Sequence, residues 1–206
     1  MATTARQRNP DRTRLALLEA AFDEIYEQGF RAASLDNILR RTGVTKGALY
    51  HHFPNKTELG YAVVDEIIFP HASEHWAPLI DCEGNPVDAL LQLIQAEVDG
   101  ADEHRVACGC PFNNLVQEMA GIDEGFRERL HRMQAQWRAA ISSALTKGQK
   151  NGQVRKDIDA EQAATMLVAS YEGCVGLAKC GQSKELFGTC MSGVANYVQG
   201  LRASTK

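Results

Sequence analysis

Apolar residues recur three and four positions apart along nearly the whole chain, and period-two runs of Val, Ile and Thr are absent. That spacing gathers apolar side chains on one face of an α-helix, so the chain reads as all-α. Residues 1–12 form a polar arm carrying Arg6, Arg8 and Arg12. The first helix is expected from Thr13 to Gln28, with Leu15, Leu18, Phe22 and Ile25 as its buried stripe and Gly29 as its C-cap. Ser34 starts a short second helix that turns Leu35 and Ile38 inward, and Gly43 stops it. Thr45 starts a third, Lys46 to about His51. Asn55 caps a fourth, with Glu58 three residues on as a variant capping box. That helix runs through Ile68 until Pro70 breaks or kinks it. Helices over 87–103, 112–119, 123–150, 160–180 and 184–201 follow. Asp159 and Ser183 cap the last two. The total is roughly nine helices and no sheet.

Charge then separates two parts. The net formal charge of the 206 residues is -4. Residues 1–60 hold nine Lys/Arg against seven Asp/Glu, whereas residues 61–206 hold thirteen against nineteen. A small basic module on an acidic body suits a protein that meets a polyanion with one end. No apolar run approaches the roughly 18 residues of a membrane span. No apolar segment follows the N-terminal residues as in a secretory signal. A cytoplasmic protein with no membrane partner is expected. The six cysteines, Cys82, Cys108, Cys110, Cys174, Cys180 and Cys190, are therefore expected to be reduced thiols.

The sharpest signal is the run from Ser34 to Phe53. Two short helices joined at Gly43, with Val44 plugging the angle between them, project the second helix outward, where it can enter a major groove. Thr45 and Lys46 lie at its N-terminus, where free amides favour a phosphate. Gly47 permits close approach. Thr45, Lys46 and Ala48 suit base edges, while Tyr50, His51 and Lys56 suit the DNA backbone. Arg6 and Arg8 can add phosphate or minor-groove contacts. The same residues also make sense without DNA, Thr45 as a plain cap and Tyr50 as core.

The segment over about residues 13–60 closely resembles the N-terminal domain of the TetR (AcrR-like) family of bacterial transcriptional regulators. The resemblance rests on Gly29-Phe30, on Ser34, and on the run from Ile38 through Gly43-Val44-Thr45-Lys46-Gly47-Ala48-Leu49-Tyr50-His51-His52-Phe53 to Lys56 and Leu59. Leu39 and Thr42 depart from it, standing where the family usually has Ala. The resemblance implies a homodimer on palindromic double-stranded operator DNA, usually a repressor released by a ligand. It also implies a three-helix DNA-binding domain with a helix-turn-helix, here residues 1–55, in which Ser34 joins the DNA-contact positions. A six-helix ligand-binding and dimerisation domain over residues 56–206 would follow, pairing through helices 160–180 and 184–201.

Those two helices suit pairing on their own pattern. Ala163, Ala164, Leu167, Val168 and Tyr171 cover one side of the first, and Met191, Val194, Ala195 and Val198 line the second. Ala169, Gly173 and Gly176 allow close approach. The same faces could equally be buried within one chain.

Cys110 falls before the proline-marked start of a helix, where dipole and free amides would lower a thiol pKa. It could also be a buried small hydrophobe. Gly109-Cys110-Pro111, with Glu172-Gly173 and Ala178-Lys179, resembles the branch of the family that includes the N-ethylmaleimide reductase repressor and an acrylate-responsive repressor. That resemblance implies an electrophile- and oxidant-sensing Cys110 able to bond reversibly to Lys179. Pro111 departs from that pattern, and Cys108 and Cys180 beside the pair could support a disulfide switch instead. The broader expectation is a small-molecule or electrophile effector held between helices of the second domain. His75, His104, Cys108 and Cys110 lack zinc-site spacing. No phosphate-binding glycine loop or nucleophile with an orienting partner is legible, so no metal, cofactor or enzymatic activity is expected.

Overall fold

The computed structural model describes residues 10–80 and 83–204, without the side chains of His75, Pro78 and Ile80. Among the described residues there are eleven α-helices: α1 (Pro10–Gln28), α2 (Leu35–Thr42), α3 (Lys46–His52), α4 (Lys56–Val63), α5 (Phe69–Ile80), α6 (Pro86–Asp99), α7 (Glu103–Cys108), α8 (Pro111–Met119), α9 (Glu124–Lys150), α10 (Ala160–Gly181) and α11 (Lys184–Gln199). The one extended pairing among them is an isolated bridge between Val154 and Arg202. The all-α expectation holds.

The helix starts follow local chemistry. Ser34, Thr45, Asn55, Asp159 and Ser183 each cap a helix by accepting a first-turn amide proton, as their short polar side chains favour. Three expectations need correction. First, α1 begins at Pro10, so Arg12 lies in the helix rather than in a free arm; proline suits the first position because its missing amide proton is not needed there. Its buried face is Leu17, Leu18, Ala20, Ala21, Glu24 and Ile25, while Leu15 is 50% exposed. The face is broad because α1 touches α2, α3 and α4 at once.

Second, of the two outcomes expected at Pro70, the break does not occur, since α5 runs through it. A π-turn over Val64–Ile68 precedes it, with the Phe69 amide donating to the Val64 carbonyl. Proline in a regular helix clashes with the carbonyl four residues back, and the wider turn relieves that clash. Third, the expected helix 87–103 ends at Asp99. Asp102 caps a separate α7 through the Arg105 amide at 2.7 Å.

The chain divides into two compact units. The first runs to Pro70 and adds Asn114–Arg129. Its core holds Leu17, Leu18, Ile38, Leu49, Phe53, Leu59 and Phe126, with the Phe126 ring 4.7 Å from Phe30 and 5.0 Å from Tyr61. The second comprises His71–Asn113 and the chain from Leu130 onward. Phe112, Met133, Trp137, Ile141, Leu145, Leu167 and Met191 fill its interior. There α10 packs on α11 and α7, and α6 packs on α11.

A disulfide joins Cys174 of α10 to Cys190 of α11, with Cα atoms 5.4 Å apart. This corrects the expectation of reduced thiols throughout. That expectation rested on an inferred compartment, whereas a hairpin of two packed helices sets the two side chains at bridging distance. Cys110 and Cys180 are free thiols, and Cys82 lies outside the described residues.

Candidate nucleic-acid interface and effector site

The first unit holds α3 from below and leaves its upper face open. Leu49 and Phe53 are buried, whereas Thr45, Lys46, Gly47, Tyr50 and His51 are exposed and Ala48 is half-buried. Tyr50, at 41% exposed, is not core. Thr45 Oγ1 accepts the Ala48 amide proton at 3.3 Å. Gly43 turns the chain between α2 and α3 at φ +64°, a left-handed conformation that glycine adopts without strain. The Thr42 hydroxyl donates to the Ile38 carbonyl at 3.0 Å and accepts the Val44 amide at 3.3 Å. A threonine therefore braces the turn where the family usually has alanine.

Three carboxylates hold this unit, and none was singled out from the sequence. Glu24, 1% exposed, accepts the Ser34 amide at 3.1 Å and the Asn37 side-chain amide at 2.7 Å. Arg41 reaches it at 3.5 Å and Glu27 at 3.0 Å. Glu24 thus fixes the start of α2 against α1. Its signal was a charged residue inside the apolar stripe of α1. Glu118 accepts the amides of Phe30 and Arg31 at 2.7 and 2.8 Å. Asp123 accepts the Tyr61 hydroxyl at 2.6 Å and the Phe126 amide at 2.9 Å. These bonds hold its carboxyl below the usual range and push the Tyr61 phenol up to about 12.

The remaining sequence candidates fall unevenly. Ser34 is half-buried, and its Oγ accepts the Asn37 amide at 3.4 Å. Lys56 donates to the Arg31 carbonyl at 3.0 Å and lies 5.1 Å from the Phe30 ring centre. Burial pushes its ammonium pKa down. Arg6 and Arg8 lie outside the described residues.

In the second unit Cys110 stands at the turn between α7 and α8. Gly109 makes that turn at φ +78°. The thiol of half-buried Cys110 donates to Glu172 Oε1 at 3.5 Å. Burial, and then the charge of Glu172, push the thiol pKa well up. Of the two readings of Cys110, this direction goes against the lowered thiol pKa and with the small hydrophobe. The Phe112 and Asn113 amides do act downward, as a helix start should, but burial and a neighbouring carboxylate outweigh them. Lys179 lies seven residues beyond Glu172 on α10, about 10 Å along the axis. Cys108 Sγ lies 3.6 Å from His104 Nε2, both on α7.

Among the described residues Glu172 Oε2 is buried without a hydrogen-bond partner, and burial raises the Glu172 carboxyl to about 7. Next to it on α10, Tyr171 donates to Glu97 Oε2 at 2.6 Å, and Arg105 reaches the same oxygen at 3.1 Å. Tyr171 and Glu97 form the polar side of a cavity of about 30 Å³, otherwise lined by apolar side chains including Trp76, Leu90, Ile94 and Ile141. Among the described residues no group of three or more His, Cys, Asp and Glu could hold a metal ion. No helix there is long and apolar enough to cross a membrane.

Residues 17–63, which span the α2–α3 turn, match the family described as bacterial regulatory proteins, tetR family. Residues 86–193, over half of the chain, match the tetracyclin repressor-like C-terminal domain. The chain belongs to the TetR family. TetR-family proteins are regulators rather than enzymes. The transcriptional regulator AcuR of Cereibacter sphaeroides is 27% identical over 169 residues, covering 80% of this chain and 75% of AcuR. The HTH-type transcriptional repressor NemR of Escherichia coli K12 is 26% identical over 186 residues, covering 90% and 94%. The crystal structure of reduced E. coli NemR superposes with a TM-score of 0.82 at 24% identity, over 94% of this chain and 98% of that one.

The last two helices of this TetR-family chain show two distinct faces. Ala163, Ala164, Leu167, Val168, Met191, Val194 and Val198 are buried within the chain itself. The exposed face carries Met166, Gly173, Gly176 and Leu177 on α10, and Leu186, Gly193 and Tyr197 on α11. Cβ atoms added at Gly173, Gly176 and Gly193 would meet open space. The sequence pattern pointed to the helices but selected mainly the face that their own chain covers.

Proposed function

We propose that this chain is a homodimeric transcriptional repressor that binds a palindromic operator and is released by an electrophile, an oxidant or a small ligand. The observation that carries the reading is the outward face of α3, anchored by Leu49 and opened at Thr45, Lys46, Gly47, Tyr50 and His51. Thr45, Lys46 and Ala48 are assigned to base edges, with Gly47 allowing close approach. Tyr50, His51, Lys56, Arg6 and Arg8 are assigned to the backbone. Ser34 retains a hydroxyl proton for a phosphate oxygen. DNA binding is assigned to residues 1–55, and effector binding and dimerisation to residues 56–206. The exposed apolar and glycine positions of α10 and α11 supply the isologous face, and two-fold symmetry would present two copies of α3 to half-sites one helical turn apart.

Operator selection followed by anisotropy titrations tests this. Lys46→Ala is expected to weaken operator binding about tenfold and to lower the salt dependence by about one counterion. Absence of salt-dependent binding to any duplex would replace this reading with a helical protein-binding adaptor. A second reading, reversible ligand release without cysteine chemistry, is favoured by the apolar cavity beside Tyr171 and Glu97. Release by a ligand that also acts on a Cys110→Ser chain would select it.

A further inference from the structure

The dyad of Cys110 and Glu172 deepens the effector reading and rests on the assignment of Cys110 as the thiol that meets an electrophile. We propose that Glu172 is the proton acceptor that makes Cys110 nucleophilic toward α,β-unsaturated carbonyl compounds. The thiol already donates to Glu172 Oε1 at 3.5 Å. The second oxygen, Oε2, is buried and has no competing donor among the described residues. No cation is needed to hold Cys110 as a thiolate, because its proton has a destination. Cys110 as a residue is half-buried rather than enclosed, so the electrophile must reach the sulfur from the solvent side of the α7–α8 turn.

The step balances without an oxidant. The sulfur lone pair forms an S–C bond to the β-carbon, and the C=C electron pair moves onto the α-carbon and carbonyl oxygen as an enolate. The thiol proton passes to Glu172 Oε1 as the S–C bond forms. The carboxylic acid then returns it to the α-carbon, directly or through water. The product is a thioether, and Glu172 is again a carboxylate. General-base assistance of this kind is worth about 10²–10⁴ in rate.

The surroundings make the acceptor pH-dependent. Acting on the dyad are Tyr171 on α10, Glu97 on α6, and the Phe112 and Asn113 amides at the start of α8, while Arg105 on α7 pairs with Glu97. Arg105 and Tyr171 are both engaged by Glu97. Glu172 therefore keeps its proton up to about pH 7 and accepts another only above it.

The test is the rate of Cys110 alkylation by N-ethylmaleimide between pH 5.5 and 9, assigned to Cys110 rather than Cys108 by fragment mass spectrometry. In the unaltered protein the rate is expected to rise through a midpoint near 7, set by Glu172. Glu172→Gln is expected to lose that midpoint and to react at least tenfold more slowly at pH 7.5. Glu172→Asp, folded by circular dichroism, is expected to keep the midpoint with an intermediate rate. An unchanged profile in Glu172→Gln, or loss of the midpoint in Glu172→Asp, overturns the role of Glu172 while leaving Cys110 as the reactive thiol. No adduct on Cys110 in the unaltered protein, with Cys180 modified as an internal control, overturns the thiol assignment itself.

Discussion

Four carboxylates of the first unit and one of the second do opposite work. Each of the four is met by donors. Glu24 and Glu118 receive backbone amides, Asp123 receives Tyr61, and Glu66 receives Arg14 at 2.6 Å. Asp123 and Glu66 are accordingly held below their ordinary pKa by those hydrogen bonds. In the second unit half-buried Glu172 has one buried oxygen without a partner among the described residues, and its carboxyl is raised to about 7. Carboxylates met by donors fix local geometry, and Asp123 and Glu66, lowered by theirs, stay ionised through the physiological range. An under-partnered one is costly to ionise and so remains responsive. The surface that presents α3 is built by the first kind, and the candidate effector chemistry by the second.

The largest expected effect tests whether the first unit rests on packing as well as on charge. Phe126→Ala removes a fully buried ring that touches Phe30 and Tyr61. It should lower stability by about 3–5 kcal/mol in urea unfolding. A loss under about 1 kcal/mol would mean that the carboxylate bonds alone hold that unit.

Glu24→Ala comes next. It leaves the Ser34 amide and the Asn37 side chain without their acceptor and should cost about 2–3 kcal/mol. Operator affinity should fall with it, because α2 loses its anchor to α1. Unchanged operator affinity in a folded variant would separate the anchor from the binding surface.

The smallest of the three effects sharpens the contrast in pH. Glu172 has a raised folded pKa, so its favourable neutral form is fully present below about 4.5 and is lost as pH rises through about 7. Glu172→Gln should therefore be more stable than the unaltered chain at pH 8, by about 1–2 kcal/mol, with the gap closing toward pH 5. Asp123 and Glu66 follow the other sign. Their contributions hold above the ordinary carboxylate range and are lost only as pH falls through it. A constant gap between pH 5 and 8 would show that Glu172 does not titrate in that window.

Local features were legible in the sequence. Caps at Ser34, Thr45, Asn55, Asp159 and Ser183, the turn at Gly43 and the inward Ile38 all follow from neighbours within one turn of helix. Pairings across long sequence distances were not. Periodicity does not reveal that Glu118 meets Phe30, that Tyr61 meets Asp123, or that Cys174 meets Cys190. Which of the two opposed influences sets the Cys110 pKa is hidden from the sequence for the same reason. The helix start was visible, whereas burial and the carboxyl of Glu172, 62 residues away, were not. The α7 break was missed because Asp102 caps a helix of only six residues, too short to show its own period.

The bond between Cys174 and Cys190 has one more consequence, in the topology of the chain. Its two ends are sixteen residues apart, and closing such a loop removes about 3 kcal/mol of conformational freedom from the unfolded ensemble. Lys179 and Lys184 both lie inside that loop. A protease that cuts after either one therefore leaves two fragments that travel as a single mass until a thiol reductant is added. Reductant in the buffer thus changes the covalent topology of α10 and α11, the two helices proposed to carry the dimer.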